Sequence, residues 1–355
     1  MSKIPISVCI IAKNEERYIE GCLQHLKPFG FEIVVADTGS TDRTKEIAEK
    51  YADKVVDFEW IDDFAAARNF CAEHASNNWI LALDCDEYMD SFDIAKVRIL
   101  MQRFVKSVGR FQLKNLLKGN DGRDRFTVDD VIRFYNKKRF KWENAIHEQL
   151  VHIHDSEDMK YHCFDVPMEV IHHGYNISAE EMQEKQLRNL RLLEKQLESD
   201  PDDSYTWFQA GQSHFLLHDY EKAVEAYETA LSLETNIRRY FVEILIESLA
   251  KAYINLDRPQ DAIALLLKYG EQFKTAKYSA VLSDAYLQNK DVLKALMNYI
   301  RTVSLEDRDT LGDGLLVCYS RIIDIYRGMG QHDMADMYTD LHEKCRLERE
   351  RIINK

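Results

Sequence analysis

The chain has 355 residues, with 47 Lys and Arg against 61 Asp and Glu, so its formal net charge is −14 with His neutral. Hydrophobic residues make up 45% and charged residues 30%, a mix that can build a core in two domains and that excludes collagen, fibre and wholly disordered classes. The acidic balance argues against a nucleic-acid partner, since phosphate backbones are held by clustered Lys and Arg; an anionic ligand must be gripped locally or through a metal.

Met1-Ser2-Lys3-Ile4-Pro5-Ile6 lacks the apolar core of a signal peptide. No stretch approaches the roughly 18 apolar residues of a membrane span, and the expectation is a cytoplasmic protein. Seven scattered cysteines without a Cys-x-x-Cys suggest neither a disulfide framework nor a zinc site.

Ile6 to Ala12 is a β-branched apolar run that predicts a buried strand. Asn14 to Lys27 predicts a helix, with Tyr18, Ile19, Cys22, Leu23 and Leu26 on one face and Pro28 with Gly30 ending it. Ile33-Val34-Val35-Ala36 predicts a second strand that runs into Asp37-Thr38-Gly39-Ser40-Thr41-Asp42, where Gly39 permits a tight turn and Ser40 or Thr41 can cap the next helix. Val55 to Phe58, a helix from Phe64 to Ala75 and the run Trp79 to Leu83 continue the alternation, which predicts a parallel sheet. Beyond Gly109 the texture changes: Phe111 to Leu113, a turn at Gly119-Asn120-Asp121-Gly122 and Val131 to Phe134 read as an antiparallel hairpin covering one side of a site.

From about residue 177 the strands stop and the sequence is helical. Trp207, Ala210, Gly211, His214, Ala223, Tyr227 and Ala230 match the tetratricopeptide pattern, and the register recurs around Ala250 and Tyr253, Ser283 and Tyr286, and Ile323 and Tyr326. About four helix pairs are expected, each burying its apolar face on the next. The organisation predicted is a domain over residues 1–176, a connecting helix over 177–200 and helical repeats over 201–355.

Asp84-Cys85-Asp86 directly follows an apolar strand, whereas Asp200-Pro201-Asp202 and Asp307-Arg308-Asp309 lie between helices. Open α/β sheets bind ligands at the carboxyl ends of their strands, which selects the first triplet. Two carboxylates there call for a cation, and hard oxygen ligands suit Mg²⁺ or Mn²⁺ bridged to a diphosphate. Asp37 ends an earlier strand and can accept from a base N–H or a ribose hydroxyl, while Asn14 and Glu15 follow the first strand, so three polar clusters stand on three strand ends. Arg68 can counter a phosphate or form an ion pair. His147 and Glu148 form an adjacent imidazole and acid that can deprotonate an acceptor, and His172 can join Asp86 as a metal ligand.

These motifs taken in order, Ile6 to Ala12 with Asn14-Glu15-Glu16, Val34 to Asp42 and Leu83 to Glu87, resemble the family 2 glycosyltransferases of GT-A fold over residues 4 to about 175. Thr38 stands where members usually carry a second Asp, so Asp37 is the match to the uracil-contacting carboxylate. The resemblance implies a UDP-sugar donor and a divalent metal, with Asp37 and the Asp84-Cys85-Asp86 triplet at the matching motifs. Joined to the local readings, the expected donor site is Asn14, Glu15, Asp37, Arg68 and Asp84, the expected Mn²⁺ or Mg²⁺ ligands are Asp86 and His172, and the expected acid–base pair is Glu148 with His147. Trp60 to Asn69, Ile146-His147-Glu148 and His172-His173-Gly174-Tyr175 are similar to a subgroup with tetratricopeptide-like tails, among them lipopolysaccharide-core glucosyltransferase-like proteins and peptide S-glycosyltransferases of the sublancin type. The expected function is inverting hexosyl transfer from UDP-sugar to a peptide or protein side chain, Cys or Ser/Thr, with the repeats holding acceptor or pairing two copies. The alternatives are a saccharide acceptor or a catalytically idle tetratricopeptide scaffold.

Overall fold

The computed structural model describes residues 4–118, 124–154, 162–174, 178–239 and 241–353. The chain divides at Ser178/Ala179 into two compact units. The expected turn at Gly119 to Gly122, and Tyr175, lie outside the described residues.

The first unit runs β1 (Ile6–Ala12), α1 (Ile19–Leu26), β2 (Glu32–Asp37), α2 (Thr44–Tyr51), β3 (Lys54–Asp57), α3 (Phe64–His74), β4 (Trp79–Leu83), β5 (Glu87–Phe92), α4 (Ile94–Arg103), β6 (Val108–Lys118), β7 (Asp124–Asn136), β8 (Phe140–Glu143), β9 (Gln149–His152) and β10 (Cys163–His172). Eight strands form one sheet in the order β3-β2-β1-β4-β7-β6-β10-β5, with β8 and β9 in a separate antiparallel pair. The sheet is mixed rather than parallel throughout: β3 to β4 run parallel, β7 pairs antiparallel with both β4 and β6, and β5 pairs antiparallel with β10. The switch comes at the long β6–β7 hairpin, which enters the sheet beside β4.

Both faces of the parallel half are covered, which explains why its strands read as continuous apolar runs. Ile6, Val8 and Ile10 of β1 turn to one face with Leu23 and Leu26 of α1, while Cys9 turns to the other with Cys71 and Ala72 of α3. Helix α1 begins at Ile19, later than the periodicity predicts, because Asn14 adopts a left-handed φ of 56° and the segment after it bonds to the loop following β2. That loop is not capped as expected. Ser40 accepts from the Asn14 amide, and Asp42 accepts from the Thr44 amide at the start of α2. Gly39 has φ 97°, the left-handed turn its position requires.

Strand β10 is irregular against its parallel neighbour β6. Asp165 pairs with Arg110 and Glu169 with Gln112, so three residues of β10 span one of β6, and the pairing resumes through His172 opposite Asn115.

The second unit is helical throughout its described residues: α5 (Ala179–Ser199), α6 (Ser204–Leu216), α7 (Tyr220–Leu233), α8 (Val242–Asn255), α9 (Pro259–Tyr269), α10 (Ala276–Gln288), α11 (Val292–Ser304), α12 (Gly314–Gly328) and α13 (His332–Ile353). Four antiparallel pairs follow α5, which packs on α6 and so belongs to the repeat unit. The small residues act as their pattern predicts. A Cβ on Gly211 would meet the Tyr227 ring at 2.5 Å, so the α6–α7 approach depends on its absence.

Candidate functional site

The carboxyl ends of β1, β2 and β4 bring the first polar groups to one edge of the sheet. Asp37, buried at the end of β2, accepts from the Gly39 and Ser40 amides at 3.2 and 3.0 Å through Oδ2. Its Oδ1 is buried and has no hydrogen-bond partner among the described residues. Asn14 holds this loop from the β1 side, accepting from the Thr41 amide at 2.8 Å, and the Glu15 amide donates to Thr44 Oγ1. These bonds make Asn14 and Glu15 braces of the Asp37 loop.

Asp84, one residue past β4, lies between two guanidinium groups. Arg68 Nη2 is 2.9 Å from its Oδ1 and Arg133 Nη1 is 2.9 Å from its Oδ2. The cations that answer its charge are thus the chain's own, and the expected need for a metal does not arise at this carboxylate. Burial opposes its ionised form, but Arg133 and Arg68 overcome that and hold its pKa well below the usual carboxylate range. Arg68 is only 6% exposed, so the ion pairs it makes are buried and not the surface kind its sequence setting suggested. Its Nε also donates to Glu148 at 2.5 Å, and its Nη1 is buried with no hydrogen-bond partner among the described residues. Glu148 is itself buried, which raises its pKa, yet Arg68 prevails and keeps it below the ordinary value.

Arg133 was not singled out from the sequence. It projects from β7 and bonds Glu87 at 2.9 and 3.0 Å as well as Asp84, while Glu87 Oε2 accepts from the Asp84 amide. An Arg within the apolar run Val131-Ile132-Arg133-Phe134 was the available signal, because a guanidinium in a buried strand requires anions nearby.

Asp86 and His172 meet at the other side of the triplet, with Oδ2 and Nε2 3.1 Å apart. His172 Nδ1 is 2.9 Å from Asn115 Oδ1, and Asn115 donates to Asp129 Oδ2 at 2.7 Å. With its NH₂ committed to Asp129, Asn115 presents oxygen to His172, so Nδ1 carries a proton, and Nε2 donates to Asp86 when the ring is protonated and offers a lone pair when it is neutral. Burial disfavours the imidazolium, but Asp86 outweighs it and raises the His172 pKa. Gly174 closes this corner: a Cβ there would stand 1.8 Å from Asp86 Oδ2.

The Asp86–His172 pair fits a divalent ion. Adjacent donors around an octahedral ion with bonds of about 2.1 Å lie about 3 Å apart, and a metal-bound imidazole commonly donates its second N–H to a carbonyl or carboxylate. Among the described residues no group of three or more His, Cys, Asp or Glu side chains could hold a metal, so further ligands would come from water or substrate phosphates, as is usual for Mg²⁺. The chain brings Arg68, Asp84 and Glu148 into one network and Asp86 and His172 into another. His147 precedes Glu148 with a left-handed φ of 53°, two residues beyond Ala145, whose carbonyl accepts from the first amide of α3.

Residues 7–153 match the model of the Glycosyl transferase family 2, and residues 204–237 match that of the Tetratricopeptide repeat. The chain is 28% identical over 256 residues to the SPbeta prophage-derived glycosyltransferase SunS of Bacillus subtilis (strain 168), covering 69% of this chain and 58% of that protein. It thus spans less than two thirds of that relative's length. It is 32% identical over 159 residues to an uncharacterized glycosyltransferase of Rickettsia bellii, covering 42% of this chain and 51% of the relative. It is also 43% identical over 82 residues to the TPR repeat-containing protein Synpcc7942_0270 of Synechococcus elongatus, covering 23% of this chain and 20% of the relative. No described helix is long and apolar enough to cross a membrane.

Proposed function

Starting from a family 2 glycosyltransferase domain of GT-A type followed by tetratricopeptide-like repeats, we propose that this chain moves a hexose from a UDP-sugar to a Cys or Ser/Thr side chain of a peptide, in the cytoplasm and with inversion at the anomeric carbon. The observation that carries the donor half is Asp37. One of its oxygens is engaged by loop amides and the other is buried without a partner among the described residues, an acceptor that the imide N–H of a base such as uracil would satisfy.

Arg68 and Arg133 hold Asp84 ionised and fixed, so it can accept from sugar or ribose hydroxyls without reorganising as the reaction proceeds. Asp86 and His172 would hold Mn²⁺ or Mg²⁺, which supplies Lewis-acid stabilisation of the charge growing on a leaving diphosphate. Glu148 takes the acceptor proton. Because Arg68 keeps its proton affinity low, it is better matched to a thiol, with a pKa of about 8.5, than to a far less acidic hydroxyl. The repeat unit binds the acceptor or a second copy of the chain.

A panel of UDP-sugars with Mn²⁺, offered with peptides containing Cys, Ser or Thr and read by mass spectrometry alongside UDP release, tests this reading. A hexose adduct on the Cys peptide is expected. UDP release without any peptide adduct would move the acceptor to a saccharide, and no UDP release at all would leave a scaffold.

A further inference from the structure

Helix α3 covers one face of the parallel strands, and it also packs on β8. Three of its residues bond the β8–β9 hairpin. The Phe64 amide donates to the Ala145 carbonyl at 2.8 Å, Arg68 Nε donates to Glu148, and Asn69 bonds Trp142 twice. In the Asn69 contact, Oδ1 accepts from the Trp142 amide and Nδ2 donates to the Trp142 carbonyl, each at 2.9 Å. A residue of an antiparallel pair turns its N–H and C=O to the same side, alternately toward and away from the partner strand. Trp142 turns both toward α3, and a single side-chain amide occupies them as the backbone of a third strand would.

The hairpin needs such an anchor, since two strands alone are marginally stable at best in water. Its connection, residues 144–148, holds Asn144 at φ 75° and His147 at φ 53°, left-handed conformations of non-glycine residues that persist where the surroundings impose them. Trp142 is 5% exposed, donates its indole N–H to the Tyr135 hydroxyl at 3.1 Å and lies beneath Arg68, whose Cζ is 5.5 Å from the ring centre. Asn69 thereby fixes, at one residue, both the strand that leads to Glu148 and the ring that supports Arg68.

We propose that Asn69 is a positioning residue for sugar transfer: its two bonds to Trp142 hold the β8–β9 hairpin so that Glu148 stays against Arg68. This rests on the reading in which Glu148 takes the acceptor proton, and it gives Asn69 a part in that step and none in holding the donor. Only a side-chain amide offers one donor and one acceptor at the spacing of a backbone N–H and C=O; a carboxylate offers acceptors alone. The effect passes through geometry, because a misplacement of about 1 Å in a reacting group can cost about 10²-fold in rate.

Asn69→Ala, the isosteric Asn69→Asp, Glu148→Gln and the double variant Asn69→Ala with Glu148→Gln are compared with wild type in the full-length chain. Each is read by amide hydrogen exchange over residues 140–152, by calorimetric UDP affinity with Mn²⁺, and by kcat and donor KM on a Cys peptide. Asn69→Ala should speed exchange across the hairpin at least about tenfold, leave UDP affinity and donor KM within about twofold, and lower kcat by about 10- to 100-fold. Added to Glu148→Gln it should lower kcat no further, because the group it positions is already gone. Asn69→Asp fills the same volume but sets an oxygen against the Trp142 carbonyl, so it should be impaired as Asn69→Ala is, whereas a packing role would leave it near wild type. Unchanged hairpin exchange in Asn69→Ala, a loss of UDP affinity matching the loss of kcat, an additive fall in the double variant, or wild-type behaviour of Asn69→Asp would each overturn the assignment. A wild-type chain that modifies no peptide would sink the acceptor reading instead. Faster hairpin exchange in Asn69→Ala would then still uphold the placement of Glu148 by Asn69, and unchanged exchange would overturn it.

Discussion

Replacing Arg133 by Met should cost the first unit far more than the loss of a surface cation. Arg133 Nη1 bonds both oxygens of Glu87, whose side chain is only 2% exposed, and one oxygen of Asp84. Without Arg133, Asp84 keeps Arg68, but Glu87 keeps only the Asp84 amide. Breaking a buried pair and stranding its anion costs about 3–5 kcal/mol. For a unit of this size each kcal/mol moves the midpoint by roughly 2–4 °C, so a fall of roughly 6–20 °C is expected. Adding Glu87→Gln removes the stranded charge while keeping an acceptor for the amide, and the double variant should recover at least about 2 kcal/mol through coupling between the two sites. Urea titration followed by fluorescence of the buried Trp79 and Trp142 measures each corner of the cycle. A single-variant loss below about 1 kcal/mol, the level of an exposed ion pair, would refute the reasoning. So would a double variant less stable than Arg133→Met alone.

Asp86→Ala should lose Mn²⁺-supported UDP release in a folded protein, while Asp200→Ala, exposed between α5 and α6, stays near wild type. Gly174→Ala places a Cβ against Asp86 Oδ2, and separating Asp86 from His172 should weaken Mn²⁺ binding by at least about tenfold in calorimetry, within the range seen when a ligand's setting is disturbed. Glu148→Gln should lower transfer by about 10² to 10⁴ while sparing donor binding, and for a thiol acceptor the loss should shrink as pH nears about 8.5. Unimpaired transfer at neutral pH would shift the base elsewhere. Glu32, at the opposite end of the sheet, is set against by burial, but bonds from Ser7 and Ser76 lower its pKa to about 2. A depressed folded pKa contributes stability above the unfolded value near 4.5 that is lost as pH falls toward 2, so Glu32→Gln should flatten acid unfolding in that window.

Much of the scaffold was legible because it is written in local patterns. The runs at β1, β2 and β4 are apolar because helices cover both faces, and the polar residues that end them stand where the sheet edge puts them. The four helix pairs followed from small and large residues recurring in an imperfect register. What escaped was tertiary. Asn14 looked like the start of a helix, but its partner is Thr41, and the bond between them delays α1. Arg68 could not be resolved between phosphate and surface pair because one of its partners, Glu148, lies 80 residues downstream. Asn115 sits in an unremarkable stretch of β6, and only the adjacency of β10 gives it His172 to orient.

The irregular pairing of β10 with β6 sets the phase of the Asp86–His172 corner. If the three residues Val166 to Met168 paired one for one from Asp165 onward, Val170 would come opposite Asn115 and His172 would slide two positions, roughly 7 Å along the strand. A slip of two leaves every side chain on its original face, so the alternation of faces does not by itself forbid it. Resistance comes from Pro167 within the irregular stretch, which has no N–H to give a regular ladder and whose carbonyl is held by the Asp93 amide at 3.0 Å. A residue that touches neither Asp86 nor His172 thereby sets where His172 falls along its strand, and Pro167 works as the stop that keeps the two strands in step.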